Sequence, residues 1–250
     1  MLLIRYKLDT SIKYGVVKND LIHELDSGAP YDIKETGSTV SLDNVTIMPP
    51  TQPSKIVAIG LNYKEHAQEL SLELPTQPLI FLKPTSAIIA TGEDIIYPEM
   101  SSQVDYEGEL GVIIKKDTKN IGIGEAKDHI LGYTCVNDVT ARDLQKLDIQ
   151  FTRAKSFDTF CPIGPYIQTD LDPTSAKLKT YVNGELKQDT CTSDMIFDIY
   201  YLVSFISKIM TLFPGDIITT GTPKGVSHLK RDDKVVVEIE NIGILENRII

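Results

Sequence analysis

The run Asp105-Tyr106-Glu107-Gly108-Glu109-Leu110-Gly111-Val112-Ile113-Ile114 places the tightest local constraint on how this chain can fold. Its apolar half reads as a strand, and two carboxylates stand two residues apart at the mouth of that strand. Successive side chains of an extended chain alternate faces, so Glu107 and Glu109 emerge on one face with their backbones roughly 6.5–7 Å apart. Two like charges at that spacing, leading into a strand that must pack in a core, repel unless a metal ion or a basic side chain neutralises them. The competing reading is a solvated strand entrance with two exposed glutamates.

Further runs of the same character follow along the chain. Lys55 to Gly60, Leu79 to Leu82, Glu109 to Ile114, Gly132 to Val136, Leu178 to Val182, Asp216 to Thr219 and Lys234 to Ile239 read as strands. Most contain β-branched residues and end at Gly, Pro, Asn or Asp. Only three segments read as helices: Tyr63 to Leu70, Thr140 to Leu147, and Met195 to Leu212, which Pro214-Gly215 terminates. Strands this frequent with helices this few lack a βαβ repeat, which disfavours a Rossmann fold or a (β/α)8 barrel. The expected class is a β-rich α+β fold, a roll or sandwich with a few covering helices. Residues 1–50 hold short alternating runs and read as a small β-rich segment. The proline-rich stretch Met48 to Pro53 then separates it from a main domain over residues 51–250.

Composition narrows the classes of function. A net charge of −10 with no basic stripe argues against nucleic acid as a partner. Cys135, Cys161 and Cys191 are too few and too scattered for a disulfide framework or a zinc ribbon. Met1 to Asp9 meets Arg5 and Lys7 at once, unlike a signal peptide, and Ile199 to Met210 is too short to span a bilayer, so a cytoplasmic protein is expected. Gly122-Ile123-Gly124 lacks the third glycine of a dinucleotide loop, and His23, His66, His129 and His228 are too dispersed for a histidine-rich zinc site.

Four other features carry chemistry. Asp138 ends the apolar run from Tyr133; it reads either as a helix cap, with Thr140 and Asp143 as a competing capping box, or as a third acid beside Glu107 and Glu109. If the three acids meet, a hard oxygen set without sulfur or imidazole points to Mg²⁺ or Mn²⁺ ahead of Ca²⁺. His66 and Glu69 are three apart, so on a helix they share a face, and a carboxylate beside an imidazole raises its basicity; a polar helix face in solvent is the plainer alternative. Lys155 stands between small residues before Phe157, where it could stabilise an enolate or carboxylate if enclosed. Ile217 to Gly225 is a strand running into a glycine-bounded turn whose hydroxyls and amides suit an anion.

These pieces, in this order, resemble the fumarylacetoacetate hydrolase family. The likeness runs from about Lys55 to the C-terminus and rests on Asn62-Tyr63 with His66 and Glu69, Asp105 to Gly111, Val136 to Gln145, Ala154 to Pro165, Tyr181 to Gln188, and Gly215 to Val226. It implies a mixed β-sandwich roll, assembled as a homodimer, and a divalent-metal enzyme whose ligands fall on Glu107, Glu109 and Asp138. The family's catalytic dyad falls on His66 and Glu69, on a short helix that can order over the site as a lid. Its active-site lysine falls on Lys155, its substrate-contacting threonine on Thr222, and its substrate-orienting residues on Arg142 and Gln145. The small-molecule substrate implied is a 2-oxo acid with a second carbonyl group. Carbon–carbon hydrolysis of acylpyruvase type, with decarboxylation of oxaloacetate beside it, is the leading expectation; isomerisation, decarboxylation or tautomerisation of 2-hydroxy-dienoates or oxaloacetate is the alternative, and a silent binding fold is the reading from another class. Leu72, Leu74 and Phe151 are candidate walls of the substrate pocket.

Overall fold

A computed structural model describes residues 1–250. The β-branched runs form three sheets. The labelled strands are β1 (Leu2–Leu8), β2 (Ser11–Lys18), β3 (Leu21–Leu25), β4 (Glu35–Ser41), β5 (Ile56–Gly60), β6 (Leu79–Lys83), β7 (Gly108–Ile114), β8 (Ile130–Asn137), β9 (Cys161–Gln168), β10 (Lys177–Val182), β11 (Glu185–Cys191), β12 (Ile217–Thr219), β13 (Lys234–Ile239) and β14 (Gly243–Ile249). The helices are α1 (Lys64–Glu69), α2 (Arg142–Leu147), α3 (Thr152–Lys155) and α4 (Ile199–Ile209).

The largest sheet runs β4-β3-β2-β1-β9-β8-β7-β12-β5-β6, and β11-β10-β13-β14 form most of a second. The strands on either side of the Met48 to Pro53 stretch therefore belong to one continuous sheet, joined where β1 pairs with β9. Alternation along β7 divides the interior. Leu110, Val112 and Ile114 face a core shared with α4 and the second sheet, while Ile113 faces the other way, towards Cys161, Ile163 and Leu3. Gly108 lets the sheets approach closely: a Cβ there would lie 2.1 Å from Thr180 Oγ1.

The seven predicted strands are present, and departures at the helices have local causes. Thr140 and Ala141 pair with Val104 and Asp105 as a two-residue strand, so α2 begins only at Arg142. The long helix begins at Ile199 because Asp198 caps it, accepting the Tyr201 amide at 2.8 Å; Met195 instead bridges to Tyr63. Strand β9 was not expected, since Pro162 and Pro165 lack the donor a central strand uses. It is accommodated by a register irregularity against β8 between Tyr133 and Cys135.

Candidate active site

The register of β7 on β8 builds the acidic cluster. Gly108 pairs with Asn137, so the next residue outward on each strand is Glu107 and Asp138. Two further bonds lock that rung: the Glu107 amide donates to Asn137 Oδ1 at 2.9 Å, and the Asp138 amide donates to the Glu107 carbonyl at 2.8 Å. Glu109 follows on the Glu107 side of β7. One oxygen from each of Glu107, Glu109 and Asp138 lies within 4.8 Å of the others, and all three side chains are buried. Asp138 caps no helix here, and Thr140 spends its hydroxyl on the Asp138 carbonyl instead of a capping box.

Buried carboxylates require countercharge. Lys155 Nζ donates to Glu107 Oε2 at 2.7 Å and to Asp138 Oδ2 at 2.6 Å. Lys83 Nζ reaches Asp138 Oδ1 at 2.5 Å and the Lys155 carbonyl at 2.6 Å. Arg142 pairs with Glu107 and, through Nε at 2.8 Å, with Asp105. Burial alone would raise the Glu107 carboxyl, but Lys155 and Arg142 outweigh it and hold it down to about 2. Burial likewise would lower Lys155, yet Asp138 and Glu107 keep it above the ordinary lysine value.

Glu109 is different. Its one hydrogen bond comes from the Gly221 amide, 2.8 Å from Oε2, and no basic side chain pairs with it. Burial, then Asp138 and Glu107, push its carboxyl well above the ordinary range. A divalent cation would supply the missing positive charge, so the donor set fits a hard metal ion held by Glu107, Glu109 and Asp138. Gly221 enables this contact with φ at +90°, and a Cβ there would meet Asn62 Cβ at 2.8 Å.

His66 and Glu69 share one face of α1, with Nδ1 and Oε2 2.9 Å apart. Glu69 Oε1 also accepts the Gly225 amide at 3.1 Å, and Lys224 pairs with Glu65 at 3.0 Å, so α1 is fastened to the turn that follows β12. Of the nine residues singled out in the sequence, His66, Glu107, Glu109, Arg142, Gln145, Lys155 and Thr222 line one cavity of about 270 Å³, while Glu69 and Asp138 stand behind His66 and Lys155. Leu72 and Phe151 form part of its wall; Leu74 does not. Thr222 Oγ1 donates to the Gly108 carbonyl at 3.0 Å and accepts from Gln188 Nε2 at 2.9 Å, so its hydroxyl already ties the turn to β7. A larger groove of about 820 Å³, lined by Lys177, Lys179, Glu238 and Glu240 among others, shares none of these residues.

Sequence reasoning missed Lys83 and Asp105, and it read the amides of the Ile217 to Gly225 turn as suited to an anion without identifying the Glu109 carboxylate that Gly221 holds. Lys83 left one signal: a lone lysine ending the apolar run Leu79 to Leu82 immediately before Pro84. It is 1% exposed.

A metal-fitting acidic triad beside a buried lysine and an imidazole–carboxylate pair, on a roll of packed sheets, defines a class of enzyme acting on small molecules. Comparison with known proteins identifies the class as a family. Residues 55–250 match the model of the fumarylacetoacetate hydrolase C-terminal domain, and residues 1–50 match an N-terminal model described as Rv2993c-like. This chain belongs to the fumarylacetoacetate hydrolase family. It is 60% identical over 196 residues to an uncharacterised protein of Methanocaldococcus jannaschii, covering 78% of this chain and 83% of the relative. It is 41% identical over 216 residues to the mitochondrial oxaloacetate tautomerase FAHD2B of Bos taurus, covering 82% and 69%. A crystal structure of 5-carboxymethyl-2-hydroxymuconate delta-isomerase from Mycobacterium smegmatis superposes with a TM-score of 0.94 at 40% identity, covering 100% and 99%. No helix is long and apolar enough to cross a membrane.

Proposed function

We propose that this protein is a divalent-metal-dependent enzyme of 2-oxo acids that forms and quenches an enolate, interconverting keto and enol forms or double-bond isomers. The observation that carries this reading is the lining of one cavity by Glu107, Glu109 and Lys155 and by the imidazole of His66. Relatives named oxaloacetate tautomerase and 5-carboxymethyl-2-hydroxymuconate delta-isomerase support the choice of reaction.

Bound at Glu107, Glu109 and Asp138, Mg²⁺ or Mn²⁺ would supply Lewis-acid stabilisation of the negative charge that develops on the 2-oxo group. The chain's own groups do the rest. Hydrogen-bonded to Glu69 through Nδ1, His66 keeps Nε2 free to take a proton from the carbon next to the 2-oxo group and to return it to oxygen or to a more distant carbon. Lys155 holds an ammonium where enolate and carboxylate charge would gather. Arg142, gripped by Asp105, Glu107 and Gln145, orients the acid end, and Ile59, Leu61 and Phe81 exclude water from the enolate.

A second reading rests on the same imidazole–carboxylate pair. Taking its proton from water instead of carbon, His66 would start hydrolysis of the carbon–carbon bond of a 2,4-dioxo acid, as in an acylpyruvase, with oxaloacetate decarboxylation beside it. A maleylpyruvate hydrolase of Sphingobium, with a TM-score of 0.84 and 28% identity, supports this reading. Assembly as a homodimer belongs to both and is checked by light scattering.

The test follows the enol absorbance of oxaloacetate, acetylpyruvate and a 2-hydroxy-dienoate in Mg²⁺, Mn²⁺ and chelator, with products separated by chromatography. Metal-dependent keto–enol exchange or a shifted double bond without a new acid bears out the isomerase. Release of pyruvate with a second acid moves the assignment to hydrolysis, and no turnover with any metal overturns both.

A further inference from the structure

Besides the imidazole of His66, three lysine or arginine side chains line the cavity: Arg142, Lys146 and Lys155. Two are already engaged, Arg142 with Asp105, Glu107 and Gln145, and Lys155 with Glu107 and Asp138. Lys146 is exposed at the mouth and enters none of the molecule's ion pairs.

The acids that could quench it are held elsewhere. Asp143, three residues before it, accepts from Ser101 Oγ at 2.6 Å, from the Ser102 amide at 2.7 Å, from Ser102 Oγ at 2.8 Å and from the Leu144 amide at 2.9 Å. Asp148, two residues after it, takes the guanidinium of Arg153 on both oxygens, at 2.8 and 2.6 Å. In a chain of net charge −10, an unpaired ammonium beside a cavity is a local attractor for anions.

Helix geometry sets its distance from the acids. Lys146 follows Arg142 by four residues on α2, which separates them by about 6 Å along the axis. Lys146 therefore stands about one helical turn along α2 from the residue that grips Glu107, on the lining of the same cavity. Phe81 and Phe151, edge to face with centroids 5.6 Å apart, line the cavity with Leu72 and offer no polar side-chain atom. A charge at the far end of a bound ligand would find no other unpaired lysine or arginine there.

We propose that Lys146 is a specificity-determining residue that binds a second, distal carboxylate, so that the site prefers 2-oxo diacids to 2-oxo acids ending in a methyl group. The inference rests on reading the cavity as a 2-oxo acid site, and the test separates the two. Two six-carbon probes, 2-oxoadipate and 2-oxohexanoate, lack the second carbonyl group that would stabilise an enol, undergo no net conversion and differ only at the far end, and their binding to the Mn²⁺-supplemented protein is measured by calorimetry. The wild type binds 2-oxoadipate about tenfold more tightly, the effect of one charge-assisted contact. Lys146→Ala brings that ratio below about twofold by weakening the diacid alone, Lys146→Arg retains most of it, and Lys208→Ala, on the exposed side of α4, leaves it unchanged. Equal binding of both probes by the wild type, or a preference that survives Lys146→Ala, overturns the role of Lys146 and leaves the 2-oxo acid site standing. Binding of neither probe overturns both.

Discussion

Around Asp138 the charges hold one another: its two carboxylate oxygens accept from Lys83 and from Lys155, each lysine has a further partner in the Lys155 carbonyl or Glu107, and all of these groups are buried. The helix that carries His66 and Glu69 is built otherwise: six residues long, without a side-chain cap, and fastened by Glu69 to Gly225 and by Glu65 to Lys224 at the surface. A helix of that length is not stable by itself. The acids must hold one geometry because a displaced buried charge is costly, whereas α1 buries only His66 and Ala67 and its two side-chain fastenings are exposed. The acid cluster is placed by the core, and the imidazole by a short helix fastened at the surface.

Lys83→Met tests the rigid side of that contrast most severely. It leaves Asp138 Oδ1 and the Lys155 carbonyl without their donor in a dry interior, and should cost about 3–5 kcal/mol in urea unfolding. A loss below about 1 kcal/mol would show that the cluster is not held as tightly as its distances imply. Glu109→Gln should keep the fold, abolish the rise in melting temperature given by Mn²⁺, and lower turnover about 10²–10³-fold. An unchanged metal-induced rise would place the ion elsewhere.

Smaller effects sharpen the other side, the short helix α1. Glu69→Gln should lower kcat about tenfold, with KM and unfolding midpoint little changed, because it weakens the orientation of the imidazole without touching the core. An equal loss of stability would make α1 a structural element and not a lid. The smallest effect separates the ordinary surface of α2 from the site it borders. Four donors outweigh partial burial and hold Asp143 down to about 2, so its contribution is full above the unfolded value near 3.9 and is lost as pH falls through about 2. Asp143→Asn should cost about 1 kcal/mol at pH 7, where solvent screens this group, and the gap to wild type should narrow between pH 4 and pH 2. A gap independent of pH would show that shape, and not charge, is what Asp143 contributes.

How far the sequence could be read follows from how local each feature is. The strands with regular alternation were legible, whereas β9 was concealed by Pro162 and Pro165, whose accommodation depends on its neighbour β8. The three acids were marked by spacing on β7 and by the end of β8. The pairing of Gly108 with Asn137 that joins them could not be read from either segment alone. Thr222 was visible as part of a glycine-bounded turn, but the structure shows its hydroxyl engaged by Gly108 and Gln188.

By itself the sequence determined the β-rich class, the two glutamates on one face, and the imidazole and carboxylate one helical turn apart. Each of these follows from covalent geometry, which repeats every two residues in a strand and about every 3.6 in a helix. Only the tertiary structure decided which charges neutralise one another: Lys83 with Asp138, Lys155 with both Glu107 and Asp138, Arg142 with Glu107, and no basic side chain with Glu109. Those pairings span 17 to 55 residues of chain and depend on strand register and burial, which no local period encodes.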